Sequence, residues 1–129
     1  MGWFGDEKFK NLKGKIIEKI YRINNNYDDN QLIFRCKDGR KYKMYHEQDC
    51  CESVTIEEII GNVENIIGKE VLDARVEISE GEDNYESETW TFYILSTRRG
   101  TITIRWYGTS NGYYSERVTF EKIKEENNA

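Results

Sequence analysis

Arginines and tyrosines recur near one another in the last third of the chain, where Tyr93, Arg105, Tyr107, Tyr113, Tyr114 and Arg117 fall within three candidate strands. Guanidinium groups grip phosphate through paired N–H donors, and tyrosine rings stack on bases and sugars. The strands span about 88–97, 101–107 and 113–123, joined by Arg98-Arg99-Gly100 and Ser110-Asn111-Gly112. Read as three-residue loops with glycine in the left-handed third position, these turns set a register. Trp106 lies opposite Phe92 and Ile104 opposite Ile94; on the other side Ile104 meets Val118 and Ile102 meets Phe120. Apolar residues then share one face. On the other face Arg105 sits between Tyr93 and Arg117, with Tyr107 next along, between Thr91 and Ser115. Two arginines directly opposite each other repel, and a bound anion reverses that sign. The expected ligand site is therefore Arg105, Arg117, Tyr93, Tyr107, Asn111, Tyr113 and Tyr114, suited to a small phosphorylated nucleotide. The plainer alternative pairs the arginines with Glu116 or Glu121, and a one-residue slip moves Arg117 opposite Tyr107.

A second dense stretch is His46-Glu47-Gln48-Asp49-Cys50-Cys51-Glu52. Metal sites of this composition usually space their ligands as C-x-x-C or H-x-x-x-H, which this stretch does not. A Cys–His nucleophile pair would rest on His46, the chain's single histidine, with no identifiable partner. The favoured expectation is a strand end leading into a helix cap, with the cysteines as small buried residues. No phosphate-cradling glycine loop or nucleophile elbow occurs, so the reading is of a binding protein without catalytic residues, metal or cofactor.

The elements that must position these residues read as α+β. Residues 14–23 balance between helix and strand; their β-branched and aromatic content favours strand. Gln31–Cys36 and Arg40–His46 form a hairpin about Lys37-Asp38-Gly39, pairing Phe34 with Tyr42 and Leu32 with Met44. Thr55 and Glu58 form a capping box, and Ile56, Ile59, Ile60, Val63 and Ile67 fall at helical spacing, which predicts one main helix over about 55–67, ended by Gly68. Leu72, Ala74, Val76 and Ile78 then alternate as one face of a strand, followed by an acidic loop over 80–84. The expectation is a single domain over 1–129: antiparallel sheet of about six to seven strands, with that helix laid across a face. Only the first dozen residues and 125–129 read as loose.

Composition narrows the function classes. The 129 residues are 37% apolar and 13% aromatic, enough for a small core. A net charge of −5 argues against a polymeric nucleic acid partner. No apolar run approaches the roughly 20 residues that cross a bilayer, and the charged start carries no signal-peptide pattern. Three cysteines, two of them neighbours that rarely bridge each other, favour a reduced compartment.

The segments Tyr42–Glu52 and Thr101–Gly108 through Asn111–Ser115 resemble a family of small phage-encoded proteins described as a domain of unknown function. They are also similar to the first type of Thoeris anti-defence protein, a phage sponge for cyclic ADP-ribose signals. The resemblance covers roughly residues 40–120. It implies a homo-oligomer built from dimers, with a hexamer as one size, in the host bacterial cytoplasm. It further implies that glycocyclic ADP-ribose, the product of a defence TIR enzyme, is bound without cleavage, which keeps the downstream effector inactive; cyclic oligonucleotide signals are a second implied ligand class. Two other readings compete: a phage inhibitor of a host protein acting through the acidic loop from Glu80 to Glu88, and an enzyme degrading a nucleotide signal at His46, Asp49 and Cys50.

Overall fold

The computed structural model describes residues 9–23, 30–83, 86–112 and 115–123. Among the described residues, eight antiparallel strands make two four-stranded sheets. They are β1 (Ile17–Arg22), β2 (Leu32–Cys36), β3 (Lys41–Tyr45), β4 (Ser53–Ile60), β5 (Asp73–Asp83), β6 (Glu86–Thr97), β7 (Gly100–Ser110) and β8 (Thr119–Lys122). The strand orders are β1-β2-β3-β8 and β4-β7-β6-β5. One buried cluster joins the sheets: Phe34, Met44 and Phe120 from the first, Tyr93, Leu95, Ile102, Ile104 and Trp106 from the second. The indole N–H of Trp106 donates to the Met44 thioether at 3.2 Å.

The fold is thus nearly all β, which corrects the α+β expectation. The segment expected as a helix over 55–67 is strand β4 followed by a 3-10 turn at Val63–Asn65. Its helical spacing has a specific cause. The register of β4 against β7 slips between Ile56 and Glu58, so that Ile56 faces Trp106 and Ile59 faces Ile104. Both partners are core residues, so a β-bulge puts two isoleucines three positions apart on one face, as a helix would. Five of the eight residues of β4 are β-branched, which suits a strand.

The β2–β3 hairpin pairs Leu32 with Met44 and Phe34 with Tyr42, as expected, and Gly39 takes the left-handed conformation, φ 91°. The β6–β7 hairpin differs by one residue. Thr97 pairs with Gly100 across a two-residue loop, which places Tyr93 opposite Ile104 and Phe92 opposite Arg105. Gly100 carries φ 156°, and a Cβ there would lie 2.9 Å from the Asn65 amide.

β8 does not return along β7. It crosses to the other sheet and pairs with β3, setting Phe120 opposite Met44, where its ring meets Phe34, Tyr42 and Phe9. Phe9 and Leu12, in the segment expected to be loose, are fully buried. The stretch expected as an acidic loop continues β5 through Asp83. Ala74 points inward as expected, whereas Leu72 and Ile78 are exposed and Val71 is the buried residue.

Candidate functional site

The expected arginine–tyrosine patch is not assembled. Tyr93 turns into the core, 1% exposed. Arg105 lies on the outward face of its sheet, between Phe92 on β6 and Glu58 on β4. Its Nε donates to Glu57 Oε1 at 2.8 Å and its Nη2 to Glu58 Oε1 at 2.9 Å. The β4 bulge brings both glutamates to that arginine, and neither Glu116 nor Glu121 takes part. Arg117 sits on the segment leading to β8; its carbonyl bonds the His46 ring and its N–H donates to Ser115 Oγ. Tyr107 does lie beside Arg105's face, stacked obliquely on Trp90 at 5.0 Å, but its hydroxyl donates to Glu88 at 2.9 Å. That hydrogen bond, then burial, pushes the phenol up. Asn111 is exposed in the turn after β7, and Tyr113 and Tyr114 lie outside the described residues.

This outward face of β4-β7-β6-β5 is acidic. A second arginine, Arg75, is held in the same way, by Asp73 at 2.6 Å and Glu77 at 3.2 Å. Each guanidinium is thus claimed by two carboxylates, which leaves little positive potential for an anion.

The outward face of β1-β2-β3-β8 has the opposite character. Register places Lys19 opposite Arg35, and Arg35 opposite Lys41, a row of three cations across three adjacent strands. The next row holds Tyr21, Ile33, Lys43 and Glu121. Tyr45 follows, its hydroxyl donating to Glu121 at 3.1 Å. The Lys19 ammonium lies 5.1 Å from the centre of the Tyr21 ring, and Lys43 lies 4.6 Å from that of Tyr45; both are cation–π contacts. Ile33, though outward, is only 5% exposed, while Tyr21 stands 36% exposed. Glu18 reaches Arg35 at 3.4 Å with both side chains largely exposed, a pairing that contributes little. Like charges facing each other across strands destabilise a sheet, so this row gains from an anion laid across it. Each aromatic sits beside a lysine, so a base and a phosphate can be held side by side. The sequence signal for this row is the β2–β3 register, which puts Arg35 against Lys41, whereas Lys19 joins it only through the pairing of β1 with β2.

The His46–Glu52 stretch forms a buried lock. His46 Nδ1 contacts the Arg117 carbonyl at 2.7 Å and Nε2 contacts Glu52 Oε2 at 2.7 Å. Each ring nitrogen thus faces an oxygen, one from the backbone and one from a carboxylate. Glu52 also accepts the backbone N–H of Asp49 at 2.7 Å and of Cys50 at 3.0 Å. Burial pushes its carboxyl up, but those N–H groups and His46 outweigh it and hold the value at about 2. Cys50 and Cys51 are bonded to each other and exposed, which corrects the expectation of unbridged, buried cysteines. Among the described residues no group of three or more histidine, cysteine or acidic side chains is arranged to hold a metal.

A third cluster centres on Glu116, buried at the end of the second sheet. Ser110 Oγ donates to it at 2.5 Å and Thr89 Oγ1 at 2.7 Å, and Ser87 Oγ also bonds it. A Cβ on Gly108 would lie 3.0 Å from the Glu116 Cβ and 3.1 Å from a Val54 methyl, so a side chain at position 108 would press on the stem of Glu116.

The fold and site define a two-sheet antiparallel β domain with one cationic, aromatic outward face and one acidic one. The chain belongs to the domain of unknown function family DUF7448, whose family model matches residues 10–120. No curated protein and no solved structure matches it. Among the described residues no helix is long and apolar enough to cross a membrane.

Proposed function

We propose that this domain binds a small phosphorylated nucleotide on the outward face of β1-β2-β3-β8 and holds it without cleaving it. The observation that carries the reading is the row Lys19–Arg35–Lys41 on the same face as Tyr21 and Tyr45, each of which has a lysine at its ring. Phosphate oxygens satisfy the row, and an adenine stacks on Tyr21 or Tyr45. The acid–base groups that the fold brings together, His46 with Glu52 and Glu116 with its hydroxyls, are buried and committed to structural bonds. This supports holding rather than turnover.

The ligand class comes from the sequence resemblance: a cyclic ADP-ribose-type immune signal, glycocyclic ADP-ribose, sequestered in the host cytoplasm on behalf of a phage so that the Thoeris effector stays inactive. An open sheet face binds weakly by itself, and enclosure by a second copy raises affinity. A dimer-based oligomer is accordingly part of the proposal. Native mass spectrometry with cyclic ADP-ribose tests it. The expected result is a complex that releases the intact ligand on denaturation and is lost in the Lys19→Glu/Lys43→Glu variant. A cleaved product, or equal binding by that variant, rejects the reading.

One observation favours a second reading, inhibition of a host protein. The β5–β6 arm carries Glu80, Glu86 and Glu88 at one end of the acidic sheet, beside an open cavity of about 530 Å³ lined by Glu80, Gly81, Ser87, Glu88 and Thr89. A basic protein partner fits that end, and it predicts a stable protein complex insensitive to Lys19 and Lys43.

A further inference from the structure

The loop between β3 and β4 couples an exposed sulfur pair to the buried lock. Cys50 and Cys51 are joined at the surface, and the backbone N–H groups of Asp49 and Cys50 both point to the Glu52 carboxylate. Gln48 Nε2 donates to the carbonyls of Cys50, at 3.3 Å, and of Glu52, at 2.8 Å, closing the loop on itself. From Glu52 the connection runs through His46 to the Arg117 carbonyl, one residue before the buried Val118 that leads into β8. A ring closed between adjacent residues restricts the Cys50–Cys51 peptide, which directly follows the two N–H groups that Glu52 collects. Opening it returns conformational freedom to that turn, and the cost falls on the Glu52 contacts.

We propose that Cys50 and Cys51 form a thiol–disulfide exchange site whose oxidation state sets how firmly Glu52 holds the β3–β4 loop. The co-reactant is a small dithiol. One of its thiolates attacks an exposed sulfur, the Cys50–Cys51 bond breaks, and a mixed disulfide forms while the other cysteine leaves as thiolate and takes up a proton. The second thiol of the reductant then attacks the mixed disulfide, releases the remaining cysteine and closes its own disulfide. The protein gains two S–H groups and the reductant loses two. Cys36 stands outside this exchange: it is buried, and burial followed by Asp38 pushes its thiol up to about 11.

The test uses the full chain in air-equilibrated buffer, with and without dithiothreitol. Alkylation under native conditions is expected to leave Cys50 and Cys51 unlabelled before reduction and to label both afterwards. Amide hydrogen exchange at Asp49 and Cys50 is expected to rise about tenfold or more on reduction, with a smaller rise at Arg117 and Val118, while β2 and β6 keep their protection. The Cys50→Ser/Cys51→Ser variant should exchange like the reduced protein and ignore the reductant. Labelling of both cysteines before reduction overturns the proposal, and so does unchanged exchange at Asp49 and Cys50. A rise spread equally over β2 and β6 also overturns it, because the bridge would then staple the whole fold rather than set one loop.

Discussion

The two outward faces of this sandwich hold similar residues in opposite states. On β4-β7-β6-β5, each of two arginines lies between two carboxylates, and Trp90, Phe92 and Tyr107 share the face with five acids: Glu57, Glu58, Asp73, Glu77 and Glu88. On β1-β2-β3-β8, three cations face one another in a row and two more aromatics stand beside lysines. Arginine and tyrosine on a strand do not make an anion site by themselves. What decides is whether the residues around them, across the strands as for Arg105 or along the strand as for Arg75, are carboxylates or other cations.

The sharpest way to break this comparison is to reverse charge on the cationic face. Lys19→Glu/Lys43→Glu should lower affinity for cyclic ADP-ribose by about 100-fold or more, on the scale of two lost charge-assisted contacts, measured by isothermal titration calorimetry. Arg105→Ala, on the acidic face, should leave that affinity within about twofold and cost at most about 1 kcal/mol of stability in urea, as exposed ion pairs do. A large affinity loss there would return the site to the second sheet. Raising salt from about 0.05 to 0.5 M should weaken ligand binding several-fold through screening.

Glu52 supplies a prediction away from both faces. Its folded value of about 2 lies below the ordinary 4.5 of the unfolded chain, so the folded state holds the proton less tightly than the unfolded one. The stability it contributes is full above about 4.5 and is lost as pH falls from there toward 2. Thermal melts of wild type and Glu52→Gln should accordingly converge as pH falls through that window. The smallest effect concerns the cation row. Lys41→Ala should stabilise the unliganded protein by roughly 0.2–1 kcal/mol through relief of cross-strand repulsion, while weakening binding.

What was legible in the sequence follows from how each strand is patterned. In the β2–β3 hairpin Leu32, Phe34, Tyr42 and Met44 are buried and Gly39 fixes the turn, so one register satisfies both constraints. On β6 the residues Trp90, Phe92 and Ile94 alternate with Thr91, Tyr93 and Leu95, and both sets contain large apolar side chains. Pattern alone cannot choose between them, and a one-residue slip turned Tyr93 from the core to the surface. The β4 bulge imitated a helix by spacing Ile56 and Ile59 three apart. β8 left its hairpin neighbour because Phe120 completes the aromatic cluster with Phe34 and Tyr42, a contact that no local signal encodes. The candidate site shows the same division. Arg105's partners lie 47 and 48 residues away and were invisible, whereas the Arg35–Lys41 pairing was implicit in a hairpin correctly read.

The central claim is that the cationic sheet is the ligand face, and an amide chemical-shift titration with cyclic ADP-ribose tests it most directly. The account predicts shifts that cluster on Lys19–Tyr21, Ile33–Arg35 and Lys41–Tyr45, with Thr55, Arg105 and Tyr107 unmoved. Shifts centred on Arg105 and Tyr107, or none at saturating ligand, would contradict it.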